Sequence, residues 1–591
     1  MRIRFQRWQV AVAAVLIAFS ASVFTADADP RITSWMTQNS SMYARVYQTT
    51  NTAPVAVWPS SGITLNNPLD VQTNPVYADV QAVLYSTNYV YVKSADLTSL
   101  RMGPWYNAQG TVNGIWPQNQ GVTAKIPRFP VPIATPNLVS SQVQQGPVGA
   151  LVNGVVIANL GDGDCYSTAQ GKDVGNAAKL FPGNQTNVWI RNAPLAEAAT
   201  LDSGYGHPAP YPNAGYHHHA NPRAIRYQLG DNIFYNVTNN TYAEAVTNPH
   251  HSPIIGWMFD GYPIYGPYGY DSGLANISNG AVVSVTPSVA GAGITYQTAP
   301  AITFTGGGGS GASVTAVVSD GVLTAVQMVN GGIGYTSPPI VTIYGVRRMV
   351  SGHVARDGSY GTANVNTAGR HSLAPWAALF HTFTTTIGTN DYQLTSSSYG
   401  PAVTTGFPMG WYAEDFDFLG DRINPATGTN YQQGVDYDLD KPNGRWCVTP
   451  DYPNGTYAYF VPIDTNGAPA FPYTIGRYWY GTNSGGHIPN GNISQTVTTY
   501  FLGGTNLQEV LQTPSVNNSS GTVTLTWSSV EGGTYVVEAT TNLANSTWTA
   551  VTTLSAATNA IQTTATDTGA ALTNPAQFYR TIRTAVAPFS Q

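Results

Sequence analysis

Charge is scarce in this sequence. Charged residues make up 9% of its 591 positions, where globular domains usually carry about 25%. The 24 lysines and arginines form no basic stripe, which excludes a nucleic-acid partner, since phosphate recognition needs clustered positive charge. Cysteine is scarcer: Cys165 and Cys447 stand alone. One bridge and two buried thiols both remain open, because pairing is not readable from spacing. Long apolar runs are missing except for VAVAAVLIAFSASVF near the N-terminus, so a stable membrane span elsewhere is not expected. Long stretches of 3.6-residue periodicity are also scarce, which argues against a helical protein. Disorder is excluded as well, because apolar and aromatic residues are plentiful at 42% and 11%.

What is present suits a secreted β-rich chain. The arginine-bearing start MRIRFQRWQ, the apolar run and the small residues Ala26-Asp27-Ala28 read as a signal peptide over 1–28. A mature protein that is secreted, periplasmic or on the cell surface follows, with cell-surface or matrix components as its expected partners. Short alternating runs with turn punctuation predict an all-β fold. NYVYVKS (88–94) is one such run, and VGALVNGVVIANLGDGD (148–164) is two runs broken by Asn153-Gly154, a hairpin dipeptide. LAEAAT (195–200) reads as a short helix.

The length predicts several domains. A large β-rich domain is expected over 30–503. It is interrupted at 279–345, where TAPAITFTG (298–306) is echoed by SPPIVTIYG (337–345). The GGGGSG between them lacks the Gly-Lys-Ser/Thr of a phosphate loop. Residues 504–515 read as a linker. Residues 516–588 read as a β-sandwich of the fibronectin type III kind, with VTLTW (523–527) and TYVVEAT (534–540) expected to pair as a hairpin across Gly532-Gly533.

Chemistry gathers at GYHHHANP (215–222), which holds three of the ten histidines side by side. On a strand, alternate residues share a face, so His217 and His219 point one way and Tyr216 and His218 the other. Such a pair can offer two neutral imidazoles to a transition metal, zinc or copper foremost. His207 precedes the pair across a turn-rich segment and is the candidate third ligand. Asp202 is a further ligand candidate, or an acceptor that fixes an imidazole tautomer. His251 is added to the ligand candidates. In FDGYPIYGPYGY (259–270), Asp260 is a candidate general base or a turn cap before Gly261, and Tyr262 a candidate donor to a developing anion. Eight acids fall between Trp411 and Asp451. DYDLDKPNG (436–444) misses the EF-hand pattern, with Lys441 at the glycine position and Cys447 at the glutamate position, but a different calcium site stays open.

GYHHHANP, with LDSGYGHPAP before it and SPIIGWMFDGYPIYGPYGY after it, resembles the bacterial YHYH-domain family. VNGVVIAN (152–159), LDKPNGRWCVTPDYPNGTYAYFVP (439–462) and PAFPYTIG (469–476) extend the resemblance over most of 80–482. His218 stands where the family motif has its second tyrosine. The pattern often has one cysteine before the Gly-His and another in LDECNGR. Here those places carry Gly204 or its neighbours and Pro442, so any bridge built from them is missing both halves. The resemblance implies a domain but no settled activity. Three readings follow: a metal-binding surface or extracellular protein (carbohydrate being a second ligand class), a metal-dependent extracellular enzyme of hydrolase type, and a structural module whose histidines only pack.

Overall fold

The computed structural model describes residues 29–586 apart from 41, 50–51, 134–142, 144, 176–188, 211–214, 237, 246–248, 289–293, 379–385, 388–390, 489–490, 504–506, 510–513, 530–532, 544–546, 558–561 and 571–575. The signal-peptide segment lies outside the described residues. Strands dominate, and the longest described helix is the six-residue Arg223–Gln228. The fold is all-β. Among the described residues no helix is long and apolar enough to cross a membrane.

The central element is an eight-stranded sheet. Its strands in chain order are β1 (Pro147–Leu151), β2 (Val156–Ala158), β3 (Gly206–Pro208), β4 (Tyr216–His218), β5 (Ile254–Met258), β6 (Pro263–Tyr265), β7 (Gly444–Cys447) and β8 (Thr456–Phe460). Their spatial order is β7-β8-β6-β5-β1-β2-β4-β3. The β6/β8 and β2/β4 pairs are parallel, and the other pairs are antiparallel. β1 and β2 are the hairpin expected at Asn153-Gly154. Gly154 takes a left-handed φ of 84°, and its N–H donates to the Leu151 carbonyl at 2.7 Å. A Cβ there would also lie 2.6 Å from the Ser94 Cβ, so only glycine fits this turn.

A five-stranded sheet packs against the first. It runs Gly486–His487, Val122–Pro127, Tyr89–Ser94, Val80–Tyr85, Thr498–Leu502 in spatial order. Val83, Val90, Val92 and Ile126 from this sheet share one buried cluster with Leu151, Ile157, Trp257, Ile264 and Tyr459 from the other. Each such side chain contributes roughly 1.5–3 kcal/mol by leaving water, which binds the two sheets together. A second cluster, formed by Trp58, Trp105 and Trp116 of the irregular N-terminal segment, takes in Tyr216 of β4.

The segment that holds the two echoed runs joins this body through two long strands. Tyr268–Ser278 pairs with Ile340–Arg348, from Tyr268 opposite Arg348 to Gly273 opposite Val341. Ile302–Thr305 pairs with the same strand, Phe304 opposite Val341, so the two echoed runs lie side by side. Ala275, Val282, Val285, Tyr335, Val341 and Ile343 form a cluster of their own.

The C-terminal part has a four-stranded and a three-stranded sheet. Leu507–Glu509, within the expected linker, pairs with Phe578–Val586. The hairpin expected between VTLTW and TYVVEAT does not form: Thr522–Ser528 belongs to the three-stranded sheet and Gly533–Thr540 to the four-stranded one. Both strands alternate with one buried face, and those faces meet. Leu525 and Trp527 share a cluster with Tyr535 and Val537, and the Trp527 and Tyr535 rings lie 5.6 Å apart. Alternation fixes which face is buried, not which strand is the neighbour. Cys165 and Cys447 are both buried and free.

Two expectations follow. Replacing residues 274–340 by an Asn-Gly turn closes the ladder at the Gly273/Val341 pair and should leave one cooperative melting transition for the two-sheet body; loss of cooperativity in calorimetry would make the segment part of that body. His353 is buried among Trp376, Phe418 and Phe471. Burial, with a smaller contribution from Lys441, pushes its pKa down to about 3. The unfolded chain binds a proton near pH 6.5 that the folded chain refuses. Stability is therefore intact above pH 6.5 and falls toward pH 3, by about 1.4 kcal/mol per pH unit from this residue. His353→Phe should flatten the acid limb of the stability curve by that slope in denaturant titrations at pH 4–6.

Candidate metal centre

The site begins with a carboxylate. In LDSGYGH the chain turns so that Asp202 Oδ1 accepts the N–H groups of Gly204 and Gly206, each at 3.0 Å. Its Oδ2 accepts the Gly103 N–H at 3.0 Å and the Tyr216 hydroxyl at 2.8 Å. Burial raises its pKa to about 6, with the four donors pulling the other way. Trp105 adds a hydrogen bond from its indole N–H to the Gly206 carbonyl. A Cβ on Gly206 would lie 2.2 Å from the Tyr216 hydroxyl oxygen, so the close approach needs glycine.

This clasp sets the register of β3 against β4. Tyr216 stands opposite Pro208, His217 opposite His207, and His218 opposite Gly206. His207 and His217 are thus a cross-strand pair. His219, two residues on, turns its ring to the same side. The ring centroids lie 4.5 Å (207–217), 4.8 Å (217–219) and 5.7 Å (207–219) apart. One nitrogen from each ring lies within 4.8 Å of the others. His218 faces away, packed on Tyr216 at 5.3 Å, with Nδ1 donating to the Tyr205 carbonyl.

The hydrogen bonds fix the tautomers. His217 Nδ1 lies 3.1 Å from the Gly215 carbonyl oxygen, and His219 Nδ1 lies 2.6 Å from the Asn159 carbonyl oxygen. A carbonyl only accepts, so both Nδ1 atoms carry the proton. His207 Nδ1 meets the Thr200 hydroxyl at 3.1 Å. That hydroxyl donates its own proton to the Glu197 carbonyl, so it accepts from His207. All three Nε2 atoms therefore present lone pairs. His217 Nε2 and His219 Nε2 face each other at 3.0 Å, a repulsive contact unless a cation is shared. Metal-bound histidines carry this pattern, with the far N–H held by an oxygen. Burial keeps all three rings neutral. It lowers the pKa of His207 well below the usual value, assisted by His217 and His219, lowers that of His217, and brings that of His219 to about 3. A metal needs neutral imidazole.

The other candidates fall elsewhere. The four donors on Asp202 occupy its lone pairs, so it anchors the hairpin and is not in the nitrogen cluster; two carbonyls and the Thr200 hydroxyl, not Asp202, fix the tautomers. His251 packs between Tyr265 and Tyr270, with Nδ1 bonded to the Ser252 carbonyl, and does not join the cluster. Asp260 is buried at a turn, where it accepts from the Tyr459 hydroxyl at 2.7 Å, the Gly481 N–H and the Tyr262 N–H. Tyr262 packs edge-on against Tyr457 and Tyr480. Neither Asp260 nor Tyr262 lines the cleft beside the histidines, because both serve the core. The acid-rich run supplies no calcium cage: Asp415 pairs with Arg370, Asp417 with Arg422, Asp438 with Arg347 and Arg445, Glu414 with Arg477, and Asp421 with Lys441. Asp440 holds the Tyr457 hydroxyl, Asp436 the Gln432 N–H, and Asp451 the Tyr265 hydroxyl.

Glu197 escaped the sequence reading. It follows the short helix Ala193–Ala196, and its Oε2 lies 3.4 Å from both His207 Nε2 and His219 Nε2. Burial, reinforced by Asp162, raises its pKa to about 9. The available signal was a lone acid in the apolar run APLAEAATL (193–201). The histidines and Glu197 open on a cleft of about 740 Å³, with Asp96, Gln120, Gln145, Asp162 and His487 on its other walls.

The family model described as YHYH protein matches residues 123–339 and 382–473. That is more than half of the chain, and the chain belongs to this family. No curated protein and no solved structure matches it. Tyr216-His217-His218-His219 lies within the matched residues, and Tyr216 is the hydroxyl donor to Asp202.

Removing that donor leaves a buried carboxylate one hydrogen bond short. Tyr216→Phe should lower stability by about 1.5–3 kcal/mol, read from the midpoint of urea unfolding. An unchanged midpoint would remove Asp202 as the anchor of this hairpin.

Proposed function

We propose that this YHYH-family chain is an extracellular or cell-surface protein that binds one transition-metal ion, zinc or copper, through His207, His217 and His219. The observation that carries the reading is the convergence of three Nε2 lone pairs whose Nδ1 protons are all committed to oxygen acceptors. Three imidazoles at one point match the nitrogen preference of these ions. The signal-like N-terminus supports export. The repeat at 279–345 and the C-terminal pair of sheets, read as a fibronectin type III-like module, support contact with surface or matrix components.

The cleft favours a second reading, a metal-dependent extracellular enzyme of hydrolase type. Structural zinc sites are closed by four protein ligands, whereas catalytic ones keep a position for water or substrate. A cleft large enough for a small molecule begins at the three nitrogens. In such an enzyme Asp260 and Tyr262 would have no part in the chemistry.

Elemental analysis of the purified chain should find one equivalent of a transition metal. His207→Ala, His217→Ala and His219→Ala should each lose it, and His218→Ala should keep it, because His218 faces the opposite side of β4. Equal metal loss in all four variants would defeat the assignment, and so would a metal-free wild type that takes up no zinc or copper on titration.

A further inference from the structure

We propose that Glu197 is a fourth protein ligand, binding through Oε2, so that the centre is a three-imidazole, one-carboxylate site at the head of the cleft. The inference rests on the metal-binding reading above and extends it to a residue from a different part of the chain.

The first support is spacing. Two ligand atoms each about 2.0–2.1 Å from one ion lie roughly 2.9 Å apart at a right angle and roughly 3.3 Å apart at the tetrahedral angle. His217 Nε2 and His219 Nε2 are 3.0 Å apart. Glu197 Oε2 is 3.4 Å from His207 Nε2 and 3.4 Å from His219 Nε2. The carboxylate oxygen therefore stands at ligand-to-ligand distance from two of the three nitrogens at once.

The second support is the count of protons. The three Nδ1–H groups are committed to Gly215, Asn159 and Thr200, so no Nε2 carries a hydrogen to donate to Glu197. Glu197 Oε2 and His207 Nε2 are both buried with no hydrogen-bond partner. The one proton that burial favours there, on the Glu197 carboxyl of the metal-free chain, can reach only one Nε2, so the other lone pairs stay unmatched, whereas a shared cation satisfies all four atoms.

The third support is how Glu197 is held. Its carbonyl accepts from the Thr200 N–H at 2.7 Å and from the Thr200 hydroxyl at 2.8 Å, and that same hydroxyl accepts from His207 Nδ1. One threonine therefore fixes the backbone of the carboxylate ligand and the tautomer of an imidazole ligand. A neutral three-nitrogen set leaves a divalent ion with its full charge, and the carboxylate halves it. Described side chains lining the cleft include no lysine or arginine, and its Asp162 is already paired with Arg191, so Glu197 supplies the compensating charge at the ion, while Asp96, Gln120 and Gln145 line the space beyond it.

The test is cobalt(II) and zinc titration of the metal-stripped full chain, with cobalt read by its visible ligand-field bands and zinc by competition with a chromophoric chelator. Wild type should bind one equivalent. Glu197→Gln, close in shape but neutral, should bind one equivalent at least about tenfold more weakly with shifted cobalt bands. Glu197→Asp keeps the charge and withdraws the oxygen by one methylene, and should also shift the bands and weaken binding. The double variant His217→Ala/His219→Ala should bind none. Circular dichroism melts of both Glu197 variants, matching the metal-free wild type, guard against misfolding. Wild-type affinity and bands in Glu197→Gln would overturn the Glu197 assignment and leave the three-histidine reading standing. Wild-type bands in Glu197→Asp with weakened Glu197→Gln would reduce Glu197 to a nearby charge and overturn ligation. No cobalt or zinc uptake by the wild type would overturn both readings.

Discussion

The register of β3 against β4 is the constraint on which the site depends. A shift of one residue along a strand sends every side chain to the opposite face, and such a slip would put His218 where His217 stands. Asp202 prevents it by gathering donors from three places: the Gly204–Gly206 turn, Gly103 of the N-terminal segment, and the Tyr216 hydroxyl on β4 itself. The carboxylate ties one end of the hairpin to a layer that packs on the central sheet. The parallel pairing of β4 with β2 ties the other side. The imidazoles inherit their positions from these contacts, and their tautomers from the Gly215 and Asn159 carbonyls and the Thr200 hydroxyl.

The scarcity of charge acquires a meaning in the interior. Many of the few charged groups sit in buried, paired sets: Arg226 with Asp231 and Glu244, Arg347 with Asp271 and Asp438, Arg370 with Asp415. Removing one member of such a set strands its partner away from water, which typically costs 3–5 kcal/mol. These pairs join segments far apart in sequence, as with Arg347 and Asp438, and so hold together irregular stretches that a regular ladder does not reach. An acid-rich sequence run that looks like a solvent-facing loop or a cation cage is instead divided among arginine, lysine, tyrosine and backbone partners.

Local patterns in the sequence carried the architecture well. Alternation and turn dipeptides gave the β character and the β1/β2 hairpin, and the period-2 rule separates His217 and His219 from His218 without knowledge of the neighbours. Long-range partners were not legible. Glu197 reaches the histidines through a turn that no periodicity announces, and Asp202 is claimed by Gly103, 99 residues away. Asp260 looked reactive because acids in aromatic surroundings often are, yet Tyr459, 199 residues on, satisfies it. The sandwich crossing between Thr522–Ser528 and Gly533–Thr540 was missed for a related reason: a short turn between two alternating runs fits a hairpin and a change of sheet equally well.

One edge strand of the central sheet is β3, three residues long and bonded on one side only. Open strand edges invite other chains to add to them and are a common route to aggregation. Here the N–H of Gly206 is taken by Asp202, its carbonyl by Trp105, and Pro208 has no N–H to offer. The groups that align the histidines thus also leave Gly206 and Pro208 at the sheet margin without a free backbone donor. A protein built with so little surface charge has little electrostatic repulsion to keep its copies apart, and this sealed margin supplies part of that separation by geometry.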